Sequence, residues 1–177
     1  MGKTDDEFER YVTYLAVPHR ARTAYEYLLA NGDAALPAVR RGLRSASAEV
    51  RNDCAKILGQ IGDDESFADL VALVDDEDAR IRWNALHAFT GGDRADAHVV
   101  RRVIGVAADD AAWEVRGLAI DVLAQWMHDD GDAAAAIAAA RDGDDNAVVR
   151  KKAASYCPPG LDLRDEKAAP QRSGSKR

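Results

Sequence analysis

Apolar residues recur along the chain three and four positions apart, in blocks the length of ordinary helices, and short polar turns separate the blocks. The clearest block is EVRNDCAKILGQIGD, Glu49 to Asp63. Its skeleton is a β-branched residue, an Arg, two small residues three and four places on, then a large apolar residue. The skeleton returns as IRWNALHAF from Ile81, VRGLAIDVLAQW from Val115 and VRKKAASYC from Val149. The anchors Val50, Ile81, Val115 and Val149 are spaced by 31, 34 and 34 residues. A fixed period in this range marks stacked supersecondary units, each burying its apolar face against the next.

The spacing predicts a helix over 4–15 and a second over 19–30, broken at Val17-Pro18. Further pairs follow at 34–43 and from Glu49, at 65–74 and 79–90, at 95–107 and 112–128, and at 132–141 and 147–156. Asn31-Gly32-Asp33, Gly62-Asp63 and Gly91-Gly92-Asp93 punctuate them, and Pro37 lies early enough in its helix to be tolerated. Connections this short make successive helices antiparallel neighbours. The expected fold is all-α: a right-handed α-solenoid of about five antiparallel helix pairs, a single unit over 1–157 with 1–32 as its capping pair. Pro158-Pro159-Gly160 stops the last helix, and 158–177, polar and rich in breakers, is expected to be a disordered tail.

Composition changes this picture little. At 177 residues with 6% aromatics and abundant Ala, the chain suits one domain of close-packed helices. No apolar run approaches the roughly 18 residues of a membrane span. The acidic start MGKTDDEFERY lacks a secretory apolar segment, so a cytoplasmic protein is expected. Cys54 and Cys157 fall in repeats too far apart to bridge and read as small core residues. The net charge of −7 argues against nucleic-acid binding, which rests on Lys and Arg neutralising phosphates. Many acids are Asp in the turns, where they can cap the next helix.

The stretches ALPAVRRGLRSASAEVRNDCAKILGQIGD, FADLVALVDDEDARIRWNALHAF and AAWEVRGLAIDVLAQW together resemble the HEAT-like repeat family, including the short bacterial repeats of phycobilin-lyase-type proteins. The resemblance spans Asp33 to Tyr156 most clearly. It implies a structural role for the recurring Arg51, Arg82, Arg116 and Arg150, each pairing with turn carboxylates to tie successive repeats into a ladder. It also implies that the second helix of each pair lines a concave binding face. Core positions by helical spacing are Val50, Ile81, Val115 and Val149, with Ala55, Leu58, Ile61, Phe89, Ala119, Leu123 and Trp126.

Positions one, two and five after the skeleton Arg are expected on that face. They are Asn52, Asp53 and Lys56, then Trp83, Asn84 and His87; later pairs add Gly117, Asp121, Gln125, Lys151 and Lys152. Trp83 is the departure, an aromatic where the pattern expects a polar residue, with His87 one turn on. Gly117 at the matching place of the next repeat is expected to leave room for a partner side chain. Trp113 opens its helix and reads as a staple to a neighbour. His19, His87, His98 and His128 lie in different repeats, and no phosphate loop, nucleophile elbow or Cys-rich pair is present. Neither a metal nor a cofactor is expected.

These features predict a non-enzymatic, monomeric scaffold that binds a protein or peptide on its concave face, a basic partner suiting the acidic chain. Two alternatives come from family resemblance: a HEAT-like DNA glycosylase, with Trp83 and Asp121 in its groove, and a bilin-lyase-type chromophore protein.

Overall fold

The computed structural model describes residues 4–61, 64–90 and 96–160, apart from the side chains of Asp64 and Glu65. The turn residues Gly62-Asp63 and Gly91-Gly92-Asp93, and the tail beyond Gly160, lie outside the described residues. Ten α-helices form among the described residues, with no strand. In pairs they are α1 Asp5–Tyr14 and α2 Pro18–Ala30, α3 Leu36–Gly42 and α4 Ala48–Ile61, and α5 Asp64–Ala72 and α6 Ala79–His87. The last two pairs are α7 Ala97–Asp109 and α8 Trp113–Trp126, then α9 Gly131–Gly143 and α10 Ala147–Tyr156. Short 3-10 turns, Gly32–Ala35 and Leu73–Asp75, precede α3 and follow α5.

Local sequence explains most boundaries. Pro18 opens α2, where its missing N–H costs nothing, and Pro37 sits in the first turn of α3. Asp78, Asp96, Asp130 and Asn146 cap α6, α7, α9 and α10, accepting backbone N–H bonds of 2.6–3.0 Å. The segment before α3 departs from the expected single helix over 34–43. It is a 3-10 turn first, because Pro37 cannot donate the N–H that would continue an α-helix through it.

The second helices form one row: α4 packs on α6, α6 on α8, and α8 on α10. First helices lie behind them, α1 against α3 and α7 against α9, with α7 also meeting the Leu73–Asp75 turn. Between the layers runs one continuous core, from Phe8, Val12 and Leu28 through Leu58, Ile81 and Phe89 to Leu123, Ile137 and Val149. All four skeleton anchors are buried in it. Ile61 is only half-buried, since it is the last residue of α4 and emerges with the chain. Trp126 is buried and Cys54 fully so; burial pushes the Cys54 thiol up to about 12.

One glycine is demanded by packing. A Cβ on Gly42 would collide with Cys54 Sγ and stand 2.9 Å from Val12 Cγ1, so α3 approaches α4 and α1 only because no side chain intervenes. The first pair is closed differently, by aromatics. Tyr11 and Tyr27 stack at 3.8 Å between ring centroids, Phe8 lies 6.2 Å from Tyr27, and Tyr27 Oη donates to Glu7 Oε1 at 2.8 Å.

Candidate functional site

Two rows of polar side chains run along the array, on different edges of the second helices. The first row lies at their N-terminal ends. Arg51 Nε and Nη2 donate to the two carboxylate oxygens of Asp76 at 2.9 and 3.1 Å. Arg82 grips Asp110 in the same way at 2.6 and 2.8 Å, and Arg116 grips Asp144 at 2.8 and 2.9 Å. The remaining Nη1 of each arginine donates to backbone carbonyls of the turn before its own helix: Ser45, Asp76 and Asp110, each at 2.8–2.9 Å.

Each aspartate therefore works twice. While accepting the arginine of the preceding repeat, Asp76 accepts Asp78 N–H, Asp110 accepts Ala112 N–H, and Asp144 accepts Asn146 N–H, at 2.8–2.9 Å. The bidentate fork and the Asx turn together lock one repeat's turn to the next. The pairs are desolvated, with side-chain exposure of 9% for Arg116 and 4% for Asp144, so both charges depend on each other. Hydrogen bonding to the carboxylates raises Arg51, Arg82 and Arg116 above the ordinary guanidinium value, and the Arg116 guanidinium holds the Asp144 carboxyl below the usual range. At the last rung Arg150 reaches, among the described residues, only its own turn, Asp144 O at 2.5 Å and Asp145 O at 3.0 Å. At the first, Ser45 stands where the aspartate would be, its Oγ accepting Ser47 N–H at 3.2 Å.

The second row follows the outward face of α4, α6, α8 and α10, and most of the residues singled out from sequence fall on it. Asn84 Nδ2 donates to Asn52 Oδ1 at 2.8 Å across the repeat boundary, and Asn52 Nδ2 to Asp53 Oδ1 at 3.0 Å. Lys56 Nζ also donates to Asp53 Oδ1, at 3.3 Å. Further along, Asp121 accepts Lys152 Nζ on Oδ2 and Tyr156 Oη on Oδ1, the latter at 3.0 Å. Gln125 lies one turn beyond Asp121, exposed, and bonds the Asp121 carbonyl at 3.4 Å. Asn52 is buried by this network, whereas Lys56 and His87 remain exposed.

Trp83 is 38% exposed and stacks on His87, ring centroids 5.0 Å apart and planes 25° from parallel. The two rings wall a groove of about 320 Å³ between α4 and α6, completed by Lys56, Gly59, Gln60 and Thr90. On the far side of the Asn52–Asn84 link a second hollow, about 250 Å³, opens among Pro18, Glu49, Asp53 and Arg80. Gly117 does not lie open as anticipated: Lys152, drawn in by Asp121, and Val149 lie 3.9 Å from where its Cβ would be. Trp113 opens α8 with 39% of its surface exposed.

Sequence reasoning missed three features of this face: the Asn52–Asn84 link, the Asp121–Lys152–Tyr156 cluster, and Gln60, whose Nε2 donates to Tyr25 Oη at 2.5 Å. Asn52 and Asn84 stand 32 residues apart, close to the repeat period, which is the signal that was available. Among the described residues, no group of three or more His, Cys, Asp or Glu side chains is placed to hold a metal ion. No described helix is long and apolar enough to cross a membrane.

Comparison with known proteins agrees with this architecture. The family model for HEAT repeats matches residues 17–90. The complex of CpcE and CpcF of phycocyanin lyase from Nostoc sp. PCC7120 contains a similar chain, with TM-score 0.70 and 15% identity over 86% of this chain and 99% of that one. A computationally designed armadillo repeat protein for modular peptide recognition matches with TM-score 0.56 and 18% identity, over 85% and 81% of the two chains. Another, in complex with the peptide (KR)4, matches with TM-score 0.53 and 18% identity, over 85% and 80%. No curated protein sequence matches significantly. At such identities the likeness is one of fold. Residues 17–90 are thus similar to HEAT repeats, and the described residues are built as an all-α solenoid of stacked helix pairs.

Proposed function

We propose that the protein is a non-catalytic binding module that holds a protein or peptide segment on the exposed face of its second-helix row, with Trp83 as the anchor. The observation that carries this reading is the Trp83–His87 stack, left 38% exposed at Trp83 beside a groove of about 320 Å³. A half-exposed Trp offers much apolar area at little entropic cost, which is why such residues dominate interface energetics.

Charge supports the reading less than the aromatic does. Asp53 is engaged by Lys56 and Asp121 by Lys152, so the face is not an uncompensated acidic track for a basic partner. The groove instead suits a segment that inserts an apolar or aromatic side chain against the indole while Asn84, Gln60 and Lys56 meet its backbone. Residues 1–157 act in this reading as one cytoplasmic unit.

The test is selection of peptides from a random displayed library on the purified protein. Selected peptides are expected to bind Trp83→Ala about 30-fold more weakly, the loss of an interface anchor of about 2 kcal/mol, with circular dichroism unchanged. Equal affinity for the two proteins sinks the reading. Glycosylase-type DNA binding predicts instead that retention on DNA falls steeply with salt. A chromophore-binding role predicts an absorbance change when a bilin is titrated in.

A further inference from the structure

The three forked rungs of the arginine row are not equivalent. At the first, Arg51 Nη2 donates to a second acid, Glu77 Oε1, at 3.0 Å. At the third, Arg116 Nη2 likewise donates to Asp145. These acids occupy the same place, one residue after the forked aspartate. At the middle rung that place is Ala111, and Arg82 Nη2 has only Asp110 among the described residues.

Beside this gap lies a cleft of about 510 Å³, lined by Arg82, Arg101, Arg102, Gly105, Asp109 and Ala111 among others. Its volume is in the range of small-ligand sites. A side chain is also missing from its wall, since a Cβ on Gly105 would meet nothing within 4 Å. Most of the charge in it is internally matched: Arg82 with Asp110, Arg102 with Asp75, and Asp76 with Arg51. Arg101, exposed on the rim, has no ion-pair partner among the described residues, and neither does Asp109.

We propose that this cleft is a carboxylate-binding site, in which a ligand carboxylate takes the place that Glu77 and Asp145 fill at the neighbouring rungs. It bonds the vacant edge of Arg82 Nη2, and Arg101 closes on it from the rim. Rungs one and three show that an Arg of this geometry pairs with a second carboxylate, and the middle rung offers the donor and the space without the acid. Asp109 opposes the ligand and limits its affinity. The site is separate from the Trp83 groove and does not depend on it.

The two sources of such a carboxylate, a free small acid and an acidic side chain of a partner, are separated by the probes. Arginine side-chain Nε–H signals are followed by nuclear magnetic resonance while the full chain is titrated with sodium succinate, with a blocked Asp-Gly-Asp peptide, or with sodium chloride at matched ionic strength. Saturable shifts of Arg82 and Arg101 with succinate and peptide, absent in chloride, support a general carboxylate site; saturation by the peptide alone assigns it to an acidic segment. In Ala111→Glu the new side chain occupies the place itself, so saturation is lost. Arg101→Ala weakens binding about tenfold, the worth of one charged hydrogen bond, and Asp109→Asn strengthens it. Shifts that track chloride, or an Ala111→Glu protein that titrates like wild type, overturn the proposal. Arg101 is exposed, so its variant keeps the question answerable if Ala111→Glu misfolds.

Discussion

The arginine–aspartate row and the Trp83 face lie on the same four helices, yet they obey opposite rules. In the first, one chemistry repeats three times with near-identical geometry: fork, turn carbonyl, Asx turn. In the second no two repeats agree, as Asn52, Trp83 with Asn84, Gly117 and Lys151 with Lys152 follow one another. A side chain that must join any repeat to any other is constrained by the shared geometry of the stack. A side chain that meets something outside the stack is not, and it varies.

The strongest way to break this contrast is to cut a rung. Asp144→Ala leaves the buried Arg116 guanidinium with Asp145 as its remaining carboxylate and removes the Asx turn before α10, so urea denaturation should show a loss of about 3 kcal/mol. A loss near zero would mean the rows are not divided into structural and external as described.

Acid should reach the same rows next. Arg116 holds Asp144 below the ordinary carboxylate range, and Arg80 with its own N–H holds Asp78 at about 2. In the unfolded chain both return to about 3.9. The folded state thus binds fewer protons in this window. The contribution is complete above about pH 4 to 5 and is lost as pH falls toward 2. Urea midpoints should decline over that range, and less in Asp144→Asn; a flat profile between pH 5 and 2.5 contradicts the assignment.

Smaller effects are expected on the varied face. Asn84→Ala removes the link to Asn52 and should cost about 1 kcal/mol in the same denaturation experiment. Trp83→Ala should change stability by only about 0.5 kcal/mol or less, since the indole is already largely in contact with solvent and His87. A Trp83→Ala loss as large as that of Asp144→Ala would make Trp83 a packing residue and erase the distinction.

What was legible in sequence follows the same division. The period of the apolar pattern specified helix pairs, their order and the buried anchors Val50, Ile81, Val115 and Val149, because a helical stripe must be covered whatever lies opposite. Asp in the turns pointed to helix caps, as at Asp130, since capping is a contact within a few residues; the caps at Asp78, Asp96 and Asn146 were not singled out. Ile61 and the 3-10 start of α3 escaped because chain ends and a single Pro shift local geometry by less than a helical period resolves.

Tertiary structure alone decided which polar groups are spent. That Asp53 and Asp121 are already engaged by lysines, that Lys152 overlies Gly117, and that Arg82 lacks, among the described residues, the second acid its neighbours have, each depends on side chains 28 to 35 residues apart, or on long flexible ones choosing among partners. Sequence spacing states which residues share a face. It does not state how ionic side chains there satisfy one another, because that choice is made by distances of an ångström or two between separate repeats.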